Sequence, residues 1–339
     1  MSKIIKIAVV GYGYWGPNLV RNFSENEDVR IVSVCDLDKT KLALVKRKYP
    51  KINITTNYDS LIKDRSIDAV VIATPTSTHF PLAKKALIAN KHIWVEKPFT
   101  NTESQARELV ELAQKKKKII FVDHIFLYTE AIQAIKRLIL KKKLGRIYYF
   151  DSTRINLGLF QPDTNVVWDL APHDISIMLY LMGEAPLSVA AFAHSHAIKK
   201  LEDTAYLSFK FRGKKSAHIR LSWLSPVKIR QTLIAGTKKM IVYDDLESTE
   251  KIKVYDYGIS INKTSKELST SGYQYRTGDI IIPSIIHKEA LVNACRAFVD
   301  SIKTNKAPIS DGMNGYLVVK IIEAAQKSLQ SGGRPVGIM

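Results

Sequence analysis

Apolar residues in the first third of the chain come in short runs, with stretches of mixed polarity between them. The runs at 4–10, 29–35, 69–73, 92–95 and 119–122 have the length of buried strands. The stretches at 17–22, 39–49, 80–89 and 102–116 repeat their apolar positions at helical spacing. Strand and helix in alternation predict a parallel sheet with helices on both faces. Beyond residue 125 the rhythm changes. A helix at 131–141, stopped at Leu144-Gly145, leads into strand-like segments at 147–154, 187–193, 205–211, 217–223, 229–235, 240–243 and 251–255. A helix at 168–181, ended by Gly183, interrupts them, and helices at 285–304 and 314–329 close the chain. Successive strands with short turns predict a large open, mainly antiparallel sheet. The expected division is therefore 1–125 and 126–339.

Composition adds little to this picture. A chain of 339 residues, 46% hydrophobic and 24% charged, reads as a soluble globular protein of two domains. Its two cysteines, Cys35 and Cys295, form no CxxC pair, which argues against a zinc knuckle or redox dithiol; no metal is expected. This cysteine usage and a start without a leader-like segment predict a cytoplasmic location. No apolar stretch reaches the ~20 residues that span a bilayer. The net charge of +19 is concentrated in part in lysines 115–118 and 141–143, at the ends of predicted helices. That pattern reads first as a solvated basic surface and second as attraction for an acidic small molecule. No nucleic-acid-binding module is recognisable.

The chemistry begins at Gly11-Tyr12-Gly13-Tyr14-Trp15-Gly16, a GxGxxG loop between the first strand and first helix. Gly11 allows the tight turn, Gly13 lets backbone approach a pyrophosphate, and Gly16 permits close helix–strand packing. The helix N-terminus offers N–H donors to phosphate. Asp36 ends the second strand about 20 residues later, where an acid accepts the adenosine ribose hydroxyls and disfavours a 2′-phosphate. NAD is the expected cofactor. Thr74, Pro75, Thr76 and His79 follow the strand at 69–73, again at a strand carboxyl end, and are expected to line the dinucleotide; His79 also reads as a plain helix-start histidine. Glu96-Lys97-Pro98 follows the next strand. Trp168-Asp169-Leu170-Ala171-Pro172-His173-Asp174 opens a helix on which Asp169 and His173 share a face. Read singly, Lys97 fits a surface residue and Asp169 a helix cap.

In that order these motifs resemble the glucose–fructose oxidoreductase / inositol dehydrogenase (Gfo/Idh/MocA) family, over nearly the whole chain. The resemblance implies an α/β fold: an N-terminal Rossmann dinucleotide-binding domain and a C-terminal α+β domain whose open antiparallel sheet binds substrate and mediates homo-oligomer contacts, as dimer or tetramer. It implies that Lys97, His173 and Asp169 are catalytic and touch substrate. Glu96 and Lys97 would lie beside the cofactor with Gly11, Tyr12, Gly13, Tyr14, Trp15, Gly16 and Asp36. The WDLAPHD segment after Arg154-Ile155-Asn156-Leu157-Gly158 is similar to members acting on nucleotide sugars. Arg154 and Asn156 are then expected substrate contacts, with Gln161 and Asn165 nearby; alternatively Arg154 is an exposed strand residue. Ala171, Pro172 and Asp123 depart from the common pattern. The implied activity is hydride transfer from a secondary hydroxyl of a sugar, foremost C3 of a UDP-N-acetylhexosamine or its uronic acid. A free-sugar or inositol dehydrogenase, an NAD-dependent glycosidase, and a non-catalytic NAD-keeping regulator are the alternatives. Histidine suits the base and a lysine cation suits the developing alkoxide, but the sequence does not order Lys97 and His173.

Overall fold

The computed structural model describes residues 3–158, 160, 164–261, 273–286 and 288–338. It divides into two compact units, Met1–Thr129 with Lys288–Lys320, and Glu130–His287 with Ile321–Met339.

The first unit starts with β1 (Ile5–Val10), α1 (Gly16–Ser24), β2 (Val29–Cys35), α2 (Lys39–Lys48), β3 (Asn53–Thr55), α3 (Tyr58–Lys63), β4 (Ala69–Ile72), α4 (Thr76–Ile88), β5 (His92–Val95), α5 (Glu103–Lys116) and β6 (Ile120–Val122). The strands form a parallel sheet in the order β3-β2-β1-β4-β5-β6. The order reverses between β1 and β4, which opens a crevice at their carboxyl ends, where such sheets bind ligands. Helices cover both faces, so β4 is buried at every position. Local chemistry sets the helix starts: the Asp38 carboxylate accepts the Thr40 and Lys41 N–H groups, and the Thr102 hydroxyl accepts that of Gln105. The short β3 and α3 lie outside the predicted elements; of α3 only Leu61 is buried, too little to mark a period. The helix expected at 80–89 begins earlier, at Thr76, with Pro81 inside it.

A 3₁₀ turn (Ile125–Tyr128) precedes the second unit. There follow α6 (Glu130–Leu140), β7 (Ile147–Leu157), α7 (Val166–Met182), β8 (Ser188–His194), β9 (Thr204–Lys210), β10 (Ser216–Ser222), β11 (Leu224–Gly236), β12 (Met240–Asp244), β13 (Ile252–Ile261) and β14 (Tyr273–Ile281). The last elements are α8 (Ala290–Thr304), α9 (Gly312–Gln330) and β15 (Val336–Gly337). Among the described residues the sheet runs β14-β13-β12-β11-β7-β10-β9-β8-β15, antiparallel except for β7 against β10. The pattern of strands missed β14: it pairs only with β13 at the sheet edge and is exposed along its described length, so no apolar alternation betrays it.

The expected single cut after residue 125 needs correction. Lys288–Lys320, which carry α8 and the start of α9, belong to the first unit. The cause is aromatic packing. Phe298 of α8 meets Trp94 and Phe121 edge-on at 5.7 Å each and Phe23 at 6.2 Å, while Trp94 and Phe121 stack at 4.1 Å. Large aromatic rings contribute more to a core than chain proximity does. Among the described residues no helix is long and apolar enough to cross a membrane.

Candidate active site

The glycine loop is shaped by what a side chain would strike. Gly11 has φ +92°, and a Cβ there would lie 2.4 Å from the Ala73 carbonyl oxygen. A Cβ on Gly16 would lie 2.3 Å from the Gly11 carbonyl oxygen. Gly13 has nothing within 4 Å on that side, which leaves a gap over the loop backbone. Trp15 gives α1 no side-chain cap, and the first turn holds no acid, so no side chain of that turn offsets its positive end. Tyr14 is 85% exposed with its ring edge-on to Trp15, whereas Tyr12 is buried. The Tyr12 N–H donates to Asp36 Oδ2 at 2.6 Å and the Asp38 N–H to Oδ1 at 2.8 Å. Asp36 therefore braces the loop, and each oxygen keeps a lone pair for another donor. The gap at Gly13, the uncapped helix and the acid fit a dinucleotide.

Backbone bonds tie the strand ends together: Ala73 N–H to Val10 at 2.8 Å, Glu96 N–H to Ile72 at 3.0 Å, and Asp123 N–H to Val95 at 2.9 Å. Thr74 accepts the Thr78 hydroxyl at 2.6 Å, and Thr76 opens α4 after the exposed Pro75. Two expected cofactor contacts are corrected here. His79 is only 1% exposed; its Nδ1 lies 2.9 Å from the Pro98 carbonyl and its Nε2 2.8 Å from that of Thr74. Burial lowers its pKa, against the pull of those carbonyls. It clamps the turn after β4 to the loop after β5 rather than presenting a nitrogen outward. Glu96 likewise turns into the core, where the pairing of β5 with β6 sets it beside Asp123. Lys97 follows it, half-buried, at the end of β5.

In the second unit the Asn165 side chain accepts the Val167 and Trp168 N–H groups at 3.1 Å and starts α7. One turn on, Asp169 and His173 lie on one helix face, both half-buried. Trp223 Nε1 donates to Asp169 Oδ2 at 3.2 Å. Gly158 leaves space for that indole, because a Cβ there would fall 2.4 Å from Trp223 Cδ1. Sequence reading missed Trp223; a strand-end tryptophan carries no mark of what its N–H will meet. Asn156 is half-buried on β7, and Gln161 lies outside the described residues.

Arg154 does not stand open to a ligand as expected. Its side chain is 6% exposed, and Nε and Nη2 lie 2.5 and 3.4 Å from the Asp174 carboxylate. Ser152 donates to the same carboxylate at 2.7 Å. Residues 152 and 154 share the face of β7 that α7 covers, and Asp174 projects onto it.

Comparison with known proteins gives matches over both units. Residues 5–124 match the GFO/IDH/MocA model described as an oxidoreductase family with an NAD-binding Rossmann fold, and residues 132–242 match the GFO/IDH/MocA C-terminal domain. A UDP-N-acetylglucosamine 3-dehydrogenase from Acidithiobacillus ferrooxidans is 30% identical over 195 residues, 55% of this chain and 57% of that protein. Alignments at 30% identity or above span between 41% and 57% of the curated relatives they match. A myo-inositol 2-dehydrogenase from Thermotoga maritima is 22% identical over 96% of both chains. A solved structure of a UDP-N-acetylglucosamine 3-dehydrogenase from Acidithiobacillus ferrooxidans superposes with TM-score 0.80 at 23% identity, covering 96% of this chain and 98% of that one.

Proposed function

The chain belongs to the Gfo/Idh/MocA oxidoreductase family, and from that premise we propose that it is an NAD-dependent dehydrogenase acting on a secondary hydroxyl of a nucleotide sugar. The substrate class is a UDP-N-acetylhexosamine or its uronic acid, oxidised at C3. The observation that carries this reading is Asp169 and His173 on one face of α7, with Asp169 held by Trp223. The Arg154–Gly158 segment supports it, since Gly158 makes room for that tryptophan.

NAD, when bound, would supply the acceptor for the hydride of the sugar carbon. The chain's own residues handle the proton and the charge. His173 takes the hydroxyl proton as the hydride leaves. Lys97, as a cation, stabilises the oxygen while it carries negative charge. Asp169 orients the imidazole and substrate, and Asn156 adds a polar contact. Arg154 drops out of the substrate set, because its charge is already neutralised by Asp174. The glycine loop and α1 would hold the pyrophosphate, and Asp36 the ribose hydroxyls. Exposed Ile259, Tyr275, Ile280 and Ile281 on β13 and β14 support homo-oligomer formation through that sheet edge.

The test is NADH formation with UDP-N-acetylglucosamine, its uronic acid, myo-inositol and glucose. Turnover of the UDP-sugars, lost at least about 100-fold in Lys97→Met and His173→Asn, is the expected result. Turnover of myo-inositol alone would establish the free-polyol reading that the full-length inositol dehydrogenase relative favours.

A further inference from the structure

Two carboxyl groups meet inside the first unit for a reason of register. Val95 of β5 pairs with Val122 of β6, so the residues that follow, Glu96 and Asp123, leave adjacent parallel strands side by side. Both residues are buried, 6% and 4% exposed. Two like charges side by side and out of water disfavour each other's ionised form, so one of the two carboxyls keeps its proton. Glu96 Oε1 and Asp123 Oδ1 are both buried with no hydrogen-bond partner.

The groups around the pair are neutral with one exception. His124, next to Asp123, is fully buried with neither ring nitrogen hydrogen-bonded. Burial, and secondarily the charge of Lys97, lowers its pKa to about 3. Tyr128 from the 3₁₀ turn and Cys295 from α8 face Asp123, and burial raises the pKa of both, so they stay protonated. Lys97 is the one cation acting on both members of the pair among the described residues.

We infer that Glu96 and Asp123 form a carboxyl pair sharing a single proton, whose one negative charge is balanced by the cation of Lys97. Both are positioning residues that act through Lys97, and the inference rests on the role proposed for that lysine. Glu96 is the acid: burial and the neighbouring Asp123 charge push it well above the usual carboxyl range. Burial also raises Asp123, to about 6, but the neighbouring Glu96 acid and the charge of Lys97 favour its ionised form. Above that pH the pair carries one charge, which Lys97 balances. Below it a second proton enters and the balance is lost.

The test uses the full chain and amide substitutions that mimic a carboxylic acid. Infrared difference spectra at pH 7.5, without substrate, compare the wild type with Glu96→Gln and Asp123→Asn. A carboxylic-acid C=O band present in the wild type and absent from both variants is expected, because in each the amide donates to the remaining carboxylate. Wild-type spectra without that band overturn the shared proton, whatever the substrate proves to be. The second arm is the pH profile of kcat/KM. Glu96→Gln keeps the negative charge and is expected to keep the basic limb in place. The double variant Glu96→Gln/Asp123→Asn removes the charge and moves that limb down by about one to two pH units. A basic limb that stays put in the double variant, or moves equally in Glu96→Gln, overturns the electrostatic coupling. Lys97→Met with undiminished turnover refutes instead the role proposed for the lysine, and leaves the infrared result standing.

Discussion

Replacing Asp174 with asparagine tests whether Arg154 is a core residue or a substrate fork. The carboxylate accepts from Arg154 Nε at 2.5 Å, from Nη2 at 3.4 Å and from Ser152 Oγ at 2.7 Å, and only 2% of its side chain is exposed. Asparagine keeps the shape but loses the charge, and its amide nitrogen cannot accept from the guanidinium. The arginine remains buried as an uncompensated cation, which costs about 3–5 kcal/mol. For a unit of this size that corresponds to a melting temperature lower by roughly 10 °C. Urea unfolding followed by tryptophan emission reads the effect, because Trp168 and Trp223 lie in the second unit and Trp15 and Trp94 in the first. Arg154→Met/Asp174→Leu replaces the pair with apolar side chains and should recover most of the loss. A stability change below about 1 kcal/mol, together with a KM for the sugar raised tenfold or more, would refute the core assignment.

The glycine loop gives a contrasting pair. Gly13→Ala meets no protein atom within 4 Å and should leave the melting temperature in place while weakening NAD binding more than tenfold by calorimetry; Gly16→Ala, with its Cβ 2.3 Å from a carbonyl, should lower both. Trp223→Phe removes the donor to Asp169, and a roughly three- to tenfold fall in kcat/KM is expected; an unchanged value would mean Asp169 needs no brace. In the first unit, burial lowers the pKa of His79, takes His92 to about 4 and His124 to about 3. The stability these neutral rings contribute is present above pH ~6.5, the unfolded value, and is lost as pH falls toward the folded ones. Glu96 and Asp123, both raised, act in the opposite sense. Asp311 is raised as well, so the acids oppose the histidines over the same range. His92, at about 4, takes up its proton only on unfolding, so between pH 6.5 and 5 the stability of His92→Gln should fall less steeply with acidification than that of the wild type, by up to about 1.4 kcal/mol per pH unit. Equal slopes in urea unfolding of the two proteins would contradict this.

What the sequence determined by itself is what neighbours along the chain determine. The apolar runs at β1, β2, β4 and β5 and the helical periods between them follow from local periodicity, and the observed strands fall within a residue or so of their predicted ends. The caps at Asp38 and Thr102, the turn at Gly11, and the one-turn spacing of Asp169 and His173 are equally local, so the outline of the glycine loop and of the α7 face was legible. Partners across the fold were not. Whether His79 faces a ligand or two carbonyls depends on where the loops after β4 and β5 come to rest. Arg154 found Asp174 only because α7 packs over β7. The docking of α8 on the first unit was decided by Phe298 among Phe23, Trp94 and Phe121, and β14 had no buried face to announce it. Glu96 and Asp123 show the difference most plainly: each reads alone as an ordinary acid, and only the register of β5 against β6 makes them share a proton, because a buried charge answers to whatever lies next to it in space.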